Sequence, residues 1–369
     1  MSEPIRILHI VGAMYPGGME NFIINLYEKI DKEKFQFDFV VHLRKEKDYK
    51  NYIEEMGGKV YVLPRLTKNP IKSLSQLYKI IKQNKYKIVI RHTANALIVP
   101  QLIAAKLAGA KTVCHSHNEI DPQIKIHKLG RVFMKSATDQ RLACSVNAGK
   151  WMFGKADFQI IHNGINLSKF EYHAKKREKI KEEFSLENQH VYGHIANFIE
   201  SKNHMFLLQI FKEIAKRDEK AVFFCLGEGD LRERIEEKIK ELNLQEKVIL
   251  TGIRHDADYF MSSMDVLIFP SFFEGLPLTL IEAQIAGLPS IISDRITEEV
   301  VITEGLVVRK SLEEDPKEWA NLAIKTAIKG ETEHRKCQRE SIRKAGYDIE
   351  QLAKWYEDFF SSTINGDMR

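Results

Sequence analysis

Two carboxylates eight residues apart, Glu274 and Glu282, sit in the run Pro270-Ser-Phe-Phe-Glu274-Gly-Leu-Pro-Leu-Thr-Leu-Ile-Glu282-Ala-Gln-Ile-Ala-Gly287. Val266 to Phe269 reads as a short buried strand, Glu274-Gly275 as the turn after it, and Pro277 as a first helical residue whose missing N–H costs nothing. The helix is expected to end at Gly287. Gly275 lets the backbone approach a ligand, and the N–H groups of Leu278 and Thr279, at the positive end of the helix dipole, suit a diphosphate. Glu274 is then at the mouth and Glu282 about two turns inside, too distant for a carboxylate dyad but placed to grip two parts of one ligand. The plain alternative is a strand–turn–helix unit with one solvated and one helix-face glutamate.

Other candidates are weaker one by one. Gly17-Gly18 precedes a helix over 20–30 and is either turn chemistry or a loop whose N–H groups reach a phosphate. In His115-Ser116-His117, strand alternation points both imidazoles the same way, but no third ligand is evident, which argues against a metal. Asp256-Ala-Asp258 has the look of a metal-binding pair, yet it precedes the apolar helix Tyr259–Met264 and reads as a helix cap. Gly227-Glu-Gly-Asp230 lacks the Lys-Ser/Thr of a phosphate loop and reads as a strand-to-helix turn.

The elements that must position these residues alternate strand and helix twice over. Strands are expected at 5–11, 36–42, 59–63, 87–91, 111–115 and 141–145, with helices near 18–30, 49–56, 71–84, 95–108 and 125–136. A charge-dense segment, 171–189, reads as a linker, and the pattern restarts at Val191, with strands beginning near Ala221, Val248, Val266 and Pro289. The last helix, 350–361, carries Leu352, Trp355, Tyr356 and Phe359 at helical spacing. Two doubly wound parallel sheets are implied, with ligands beyond the carboxyl ends of the strands, where every candidate above is placed; facing sheets would define one cleft.

At 369 residues a single core would be stretched, so two domains are expected. Cys114, Cys144, Cys225 and Cys337 show no close pairing, which suits reduced thiols used as small hydrophobes. The first residues lack the layout of a signal peptide, and no apolar run reaches the ~18 residues of a membrane span. Residues 1–165 hold 26 Lys+Arg against 14 Asp+Glu, net +12; the whole chain is +5, leaving −7 for 166–369. Arg65 to Lys87 has seven basic residues and no acid, and Ile124 to Lys135 is a second basic, apolar segment. Such helices are usually solvated faces; two in one domain fit an anionic membrane or a lipid-pyrophosphate acceptor. Nucleic acid is disfavoured, since no aromatic platform interleaves the charge.

Taken together, Glu274-x7-Glu282, Gly17-Gly18-Met-Glu20-Asn21, His115-Ser-His117-Asn118, His162-Asn163-Gly164-Ile165 and Gly193 to His204 resemble, in order along nearly the whole length, the motifs of the retaining family-4 glycosyltransferases. The subgroup they resemble builds bacterial exopolysaccharide or capsule. The resemblance implies an α/β, GT-B fold: an N-terminal acceptor-binding domain over 1–168, a C-terminal donor-binding domain over 169–349, and a final helix over 350–369 crossing back. It implies His117 at the reaction centre, Lys202 on the diphosphate, Glu274 on donor-sugar hydroxyls and Glu282 on the ribose. The base would lie against the backbone of Ile253 and Arg254. Gly17, Gly18, Leu278 and Thr279 would serve the phosphates or acceptor. Asn197 stands where the family places an arginine.

The activity implied is transfer of a hexose or N-acetylhexosamine from a nucleotide-diphosphate sugar, UDP-sugar above others, to a lipid-linked saccharide. No metal or other cofactor is expected. The chain would be a cytoplasmic protein, peripheral at the inner face of the membrane. The alternatives are a nucleotide-sugar epimerase and, because of Asn197, a non-catalytic partner subunit of a transferase complex.

Overall fold

The central strand runs are largely apolar because helices cover both sheet faces, the condition under which parallel sheets form. The computed structural model describes residues 3–15, 17–44, 48–93, 95–117, 124–332, 335 and 337–366. Asn118 of the expected histidine motif lies outside them. The chain divides into two compact units, residues 1–165 with 346–369, and residues 166–345.

The first unit holds seven strands: β1 (Ile5–Ile10), β2 (Phe35–Val41), β3 (Val60–Val62), β4 (Ile88–Thr93), β5 (Lys111–Ser116), β6 (Gln140–Ala143) and β7 (Gln159–Ile160). They pair in parallel in the order β3-β2-β1-β4-β5-β6-β7. Strand alternation sorts the core: Ile7 joins Phe22, Tyr27, Phe37 and Phe39 on one face, while Leu8 and Ile10 join Leu77 and Ile81 on the other. The helix Ile349–Asn365 belongs to this unit. It buries Leu352, Tyr356, Phe359 and Phe360 in the first of those faces and is capped by Asp348, whose side chain accepts from Glu350 N–H.

The second unit holds β8 (His190–Ile195), β9 (Ala221–Leu226), β10 (Val248–Gly252), β11 (Val266–Phe269), β12 (Ser290–Ser293) and β13 (Val307–Lys310), parallel in the order β10-β9-β8-β11-β12-β13. Its core gathers Tyr192, Phe211, Phe223, Ile268 and Trp319.

Three expectations are corrected. The segment 171–189 is not a plain linker: Ala174–Glu183 is a helix of the second unit, fixed by buried Ile180 and by Lys176–Asp258 and Arg177–Asp265 pairs at 2.7 and 2.8 Å. Pro277 is the cap, not the first helical residue, and the helix is Leu278–Ile285, ending before Gly287, which takes φ +61°. Asp256 occupies a helix N-cap position but makes no capping bond; its carboxylate accepts from Arg254 at 2.8 and 2.7 Å instead. None of the four cysteines is in a disulfide, and three of them are buried.

Candidate functional site

In the second unit, three loops at the carboxyl ends of β8, β9 and β11 interlock through backbone. Phe198 N–H donates to the Glu228 carbonyl at 2.8 Å, and Phe272 N–H to the Ser201 carbonyl at 2.8 Å. Asn203, at φ +57°, donates from Nδ2 to the Pro270 carbonyl at 3.1 Å. Glycine is required where the strands meet: at Gly227, φ +139°, a Cβ would lie 2.0 Å from the Ala196 carbonyl oxygen, and at Gly229, φ +156°, 2.5 Å from that of Phe198.

This frame joins two of the expected residues directly. Lys202 Nζ lies 2.5 and 2.6 Å from the two Glu274 oxygens, and 5.7 Å from the centre of the Phe269 ring. The pair is largely shielded, with side-chain exposures of 17% and 9%. Phe269 was not singled out from sequence; it is the last residue of β11 and forms the floor under the ammonium. Asn197 is exposed on the same loop as Lys202.

Leu278 and Thr279 form the first turn of their helix, where N–H groups lack intrahelical acceptors. Glu282 stands one turn further along. It keeps partial surface access, but surrounding protein pushes its carboxyl up to about 7; Lys169 opposes that shift and Asp258 adds to it. Ile253 is exposed just after β10. Arg254 beside it is held by Asp256 and, at 3.2 Å, by Glu183, so its side chain is occupied while its backbone remains the expected contact.

In the first unit, Gly17 caps the helix Gly18–Lys29 with extended backbone. A side chain at Gly17 would meet Glu20 at 2.7 Å, whereas Gly18 borders open space. Phe22 of that helix packs on the rings of His115 and His117 at 5.7 and 5.9 Å, tying the glycine turn to the histidine motif. His117 follows β5 and is partly accessible; burial pushes its imidazole down to about 3, with Asn163 countering in part.

Sequence alone offered no third imidazole. The structure supplies one: His92 on β4 is opposite His115 in register, and nitrogens of His92, His115 and His117 all lie within 4.8 Å of one another, a set that could in principle hold a metal ion. His9 on β1 extends the cluster to a fourth ring, bonded to His92 at 3.0 Å. The signal available was a histidine near the carboxyl end of an apolar strand; the pairing needed strand order.

Residues 16–169 match the family described as Glycosyltransferase Family 4, and residues 175–345 match Glycosyl transferases group 1. EpsF of Bacillus subtilis, assigned as a glycosyltransferase, is 33% identical over 95% of this chain and 94% of its own length. The UDP-Gal:alpha-D-GlcNAc-diphosphoundecaprenol alpha-1,3-galactosyltransferase of Escherichia coli is 28% identical over 79% of each chain. The crystal structure of HepE from Anabaena in complex with UDP-glucose superposes with a TM-score of 0.79 over 97% of this chain and 100% of that one; at 16% identity it speaks to the fold.

Proposed function

Because this chain belongs to the glycosyltransferases that couple a family-4 region to a group 1 region, with GT-B architecture, we propose that it moves a hexose or N-acetylhexosamine from a UDP-sugar, with retention, to a lipid-linked saccharide in exopolysaccharide or capsule synthesis. The observation that carries the reading is the Lys202–Glu274 pair beside the helix start at Leu278–Thr279. A donor exchanges with that pair: its diphosphate takes Lys202 and the N–H groups of the helix, and its sugar hydroxyls take Glu274. The bond from anomeric carbon to phosphate oxygen breaks, UDP leaves with the electron pair, and the acceptor oxygen bonds to the same face while its proton passes to the departing phosphate. Lys202 and the helix dipole offset the charge that grows on the leaving group. Glu282 receives the ribose. The E. coli relative's UDP-galactose and diphosphoundecaprenol substrates favour the same donor and acceptor classes here.

Membrane contact is part of the proposal. On the helices Val99–Leu107 and Ile124–Ala137, which pack together, Leu107, Leu129, Val132 and Phe133 are exposed beside Lys106, Lys128 and Lys135. That is the composition of a surface that lies on anionic lipid. Among the described residues, no helix is long and apolar enough to cross a membrane.

Calorimetric titration with UDP, GDP and ADP tests the donor site. UDP alone is expected to bind, and Lys202→Ala and Glu282→Ala should each weaken it roughly ten- to hundredfold. Unchanged affinity in both variants would sink the site. Binding that appears only in Asn197→Arg would instead favour the partner-subunit alternative, since Asn197 supplies no charge where the family carries one.

A further inference from the structure

Arg91, near the end of β4, is a cation taken almost wholly out of water, 8% exposed, with no carboxylate to meet it among the described residues. Strand alternation places it with Val89 and Ile10 on the sheet face covered by the helix Val99–Leu107, opposite Ile90 and His92. Its Nη1 donates to the Ile10 carbonyl at 3.0 Å and to the His92 carbonyl, and its Nε donates to Gln101 Oε1 at 2.9 Å. Nη2 has no partner among the described residues and is not sealed from solvent. Burial brings the guanidinium down to about 10, so it stays charged at neutral pH. The other group acting on it is the Cys114 thiol, pushed up by burial to about 12 and therefore neutral.

A relay of neutral groups holds this cation in one pose. The Leu63 and Pro64 carbonyls can only accept, so His42 carries its proton on Nδ1, 3.3 and 3.1 Å from them. His42 Nε2 then accepts from Gln101 Nε2 at 2.7 Å, which turns Gln101 Oε1 towards Arg91. Burial, with the charges of Arg91 and Arg65 adding to it, holds the His42 imidazole below its ordinary range. Arg65, next after those carbonyls, is exposed and makes no ion pair among the described residues.

An unpaired buried charge is costly, and the chain keeps this one at a particular place. Through the Ile10 carbonyl, Arg91 joins β4 to β1, where the strand order β3-β2-β1-β4-β5-β6-β7 reverses; open parallel sheets bind ligands beyond the carboxyl ends at such a point. The end of β1 is open there, since a Cβ at Gly12 would meet nothing within 4 Å. We propose that Arg91 is the centre of an anion site in the first unit that takes phosphate oxygens, the phosphate being that of a lipid diphosphate acceptor. The acceptor assignment rests on the function proposed above; the anion chemistry rests on Arg91 itself. The planar guanidinium presents the unspent N–H groups of Nη2 to a phosphate, and the net charge of +12 over residues 1–165 favours a multiply charged group over a single carboxylate. Gln101 and His42 are positioning residues that act through Arg91.

Calorimetry of the full chain, with and without saturating UDP, compares farnesyl diphosphate, inorganic phosphate and dioctanoylphosphatidylglycerol. Farnesyl diphosphate should bind equally in both conditions and more tightly than the other two. Arg91→Lys keeps the charge but loses the fork, and should weaken it roughly tenfold or more. Gly12→Asp serves where Arg91→Lys does not fold: Gly12 lies outside the left-handed range, its Cβ position is open, and a carboxylate there should weaken farnesyl diphosphate by a similar factor. Unchanged affinity in Arg91→Lys, or in Gly12→Asp where that variant does not fold, would overturn the site. So would displacement of farnesyl diphosphate by UDP, which would put the diphosphate at Lys202. Arg91-dependent binding of phosphatidylglycerol or inorganic phosphate as tight as that of farnesyl diphosphate would assign the site to a membrane head group or the free ion and overturn the acceptor. A wild type that binds no UDP would overturn the donor-site reading, while the Arg91 comparison would still decide the anion site.

Discussion

Lys202 and Glu274 satisfy each other before any ligand arrives, at 2.5 and 2.6 Å. A nucleotide without a sugar must break that pair and leaves Glu274 unpaired, whereas a nucleotide sugar supplies partners for both charges. Glu274→Gln should therefore tighten UDP roughly three- to tenfold, since it releases Lys202, and should slow UDP-sugar turnover at the same time. Calorimetry and steady-state rates check the two halves; weaker UDP binding in the variant would contradict the exchange. Glu282 gives a second residue-level expectation. Its carboxyl, raised to about 7, accepts ribose hydroxyls best when ionised, so UDP affinity should rise as pH climbs through about 7. Glu282→Gln should lack that component, leaving the slope from the nucleotide's own phosphate. Superimposable pH profiles for the two proteins would remove Glu282 from the ribose.

At the scale of elements, the loops after β8, β9 and β11 act as one piece because backbone contacts glycine in two places. Gly229→Ala puts a methyl 2.5 Å from the Phe198 carbonyl at φ +156°. It should cost at least about 2 kcal/mol in urea unfolding and lower UDP affinity without touching nucleotide, by moving the Lys202 loop. Unaltered stability and binding would mean the loops move independently. The same elements show what sequence can carry. β1, β4, β5, β8, β9 and β11 were legible because each carries apolar residues at its centre, and the places of Glu274 in a turn and Glu282 in a helix were legible because a glycine and a proline follow β11. β7 and β13 were missed because Gln159–Ile160 and Val307–Lys310 are short and carry exposed or half-buried residues. The helix Ala174–Glu183 was missed because Ile180 is its only buried residue. The pairing of Lys202 with Glu274 and of His92 with His117 depends on which strands become neighbours, and no local pattern encodes that.

At the scale of the molecule, buried neutral histidines set the response to acid. His9 and His117 fall from about 6.5 to about 3 on folding, and His204 to about 4. Below 6.5 the unfolded chain takes up protons that the folded chain refuses, so their contribution is present above 6.5 and lost as pH falls towards those lower values. Glu282 has the opposite sign: raised from about 4.5 to about 7, it favours the folded state below 4.5 and loses that contribution as pH rises through 7. The histidines outnumber it, so the urea midpoint should fall between pH 7 and 5. His9→Phe should flatten that fall, and identical slopes for variant and wild type would show that His9 is not among the groups responsible.

The helix Ile349–Asn365 completes the core of a sheet whose strands all lie before residue 165, with the whole second unit intervening. On the ribosome the first sheet is therefore synthesised without the surface that packs on Phe35 and Phe37, and it waits while about 180 further residues emerge. At elongation rates of about 5–20 residues per second that is roughly 10–40 s. The second unit, continuous in the chain, can be finished first. Translation that stops short of residue 349 leaves the first sheet without its cover, an aggregation-prone and protease-sensitive product, so this helix serves as a receipt that the second unit has been made.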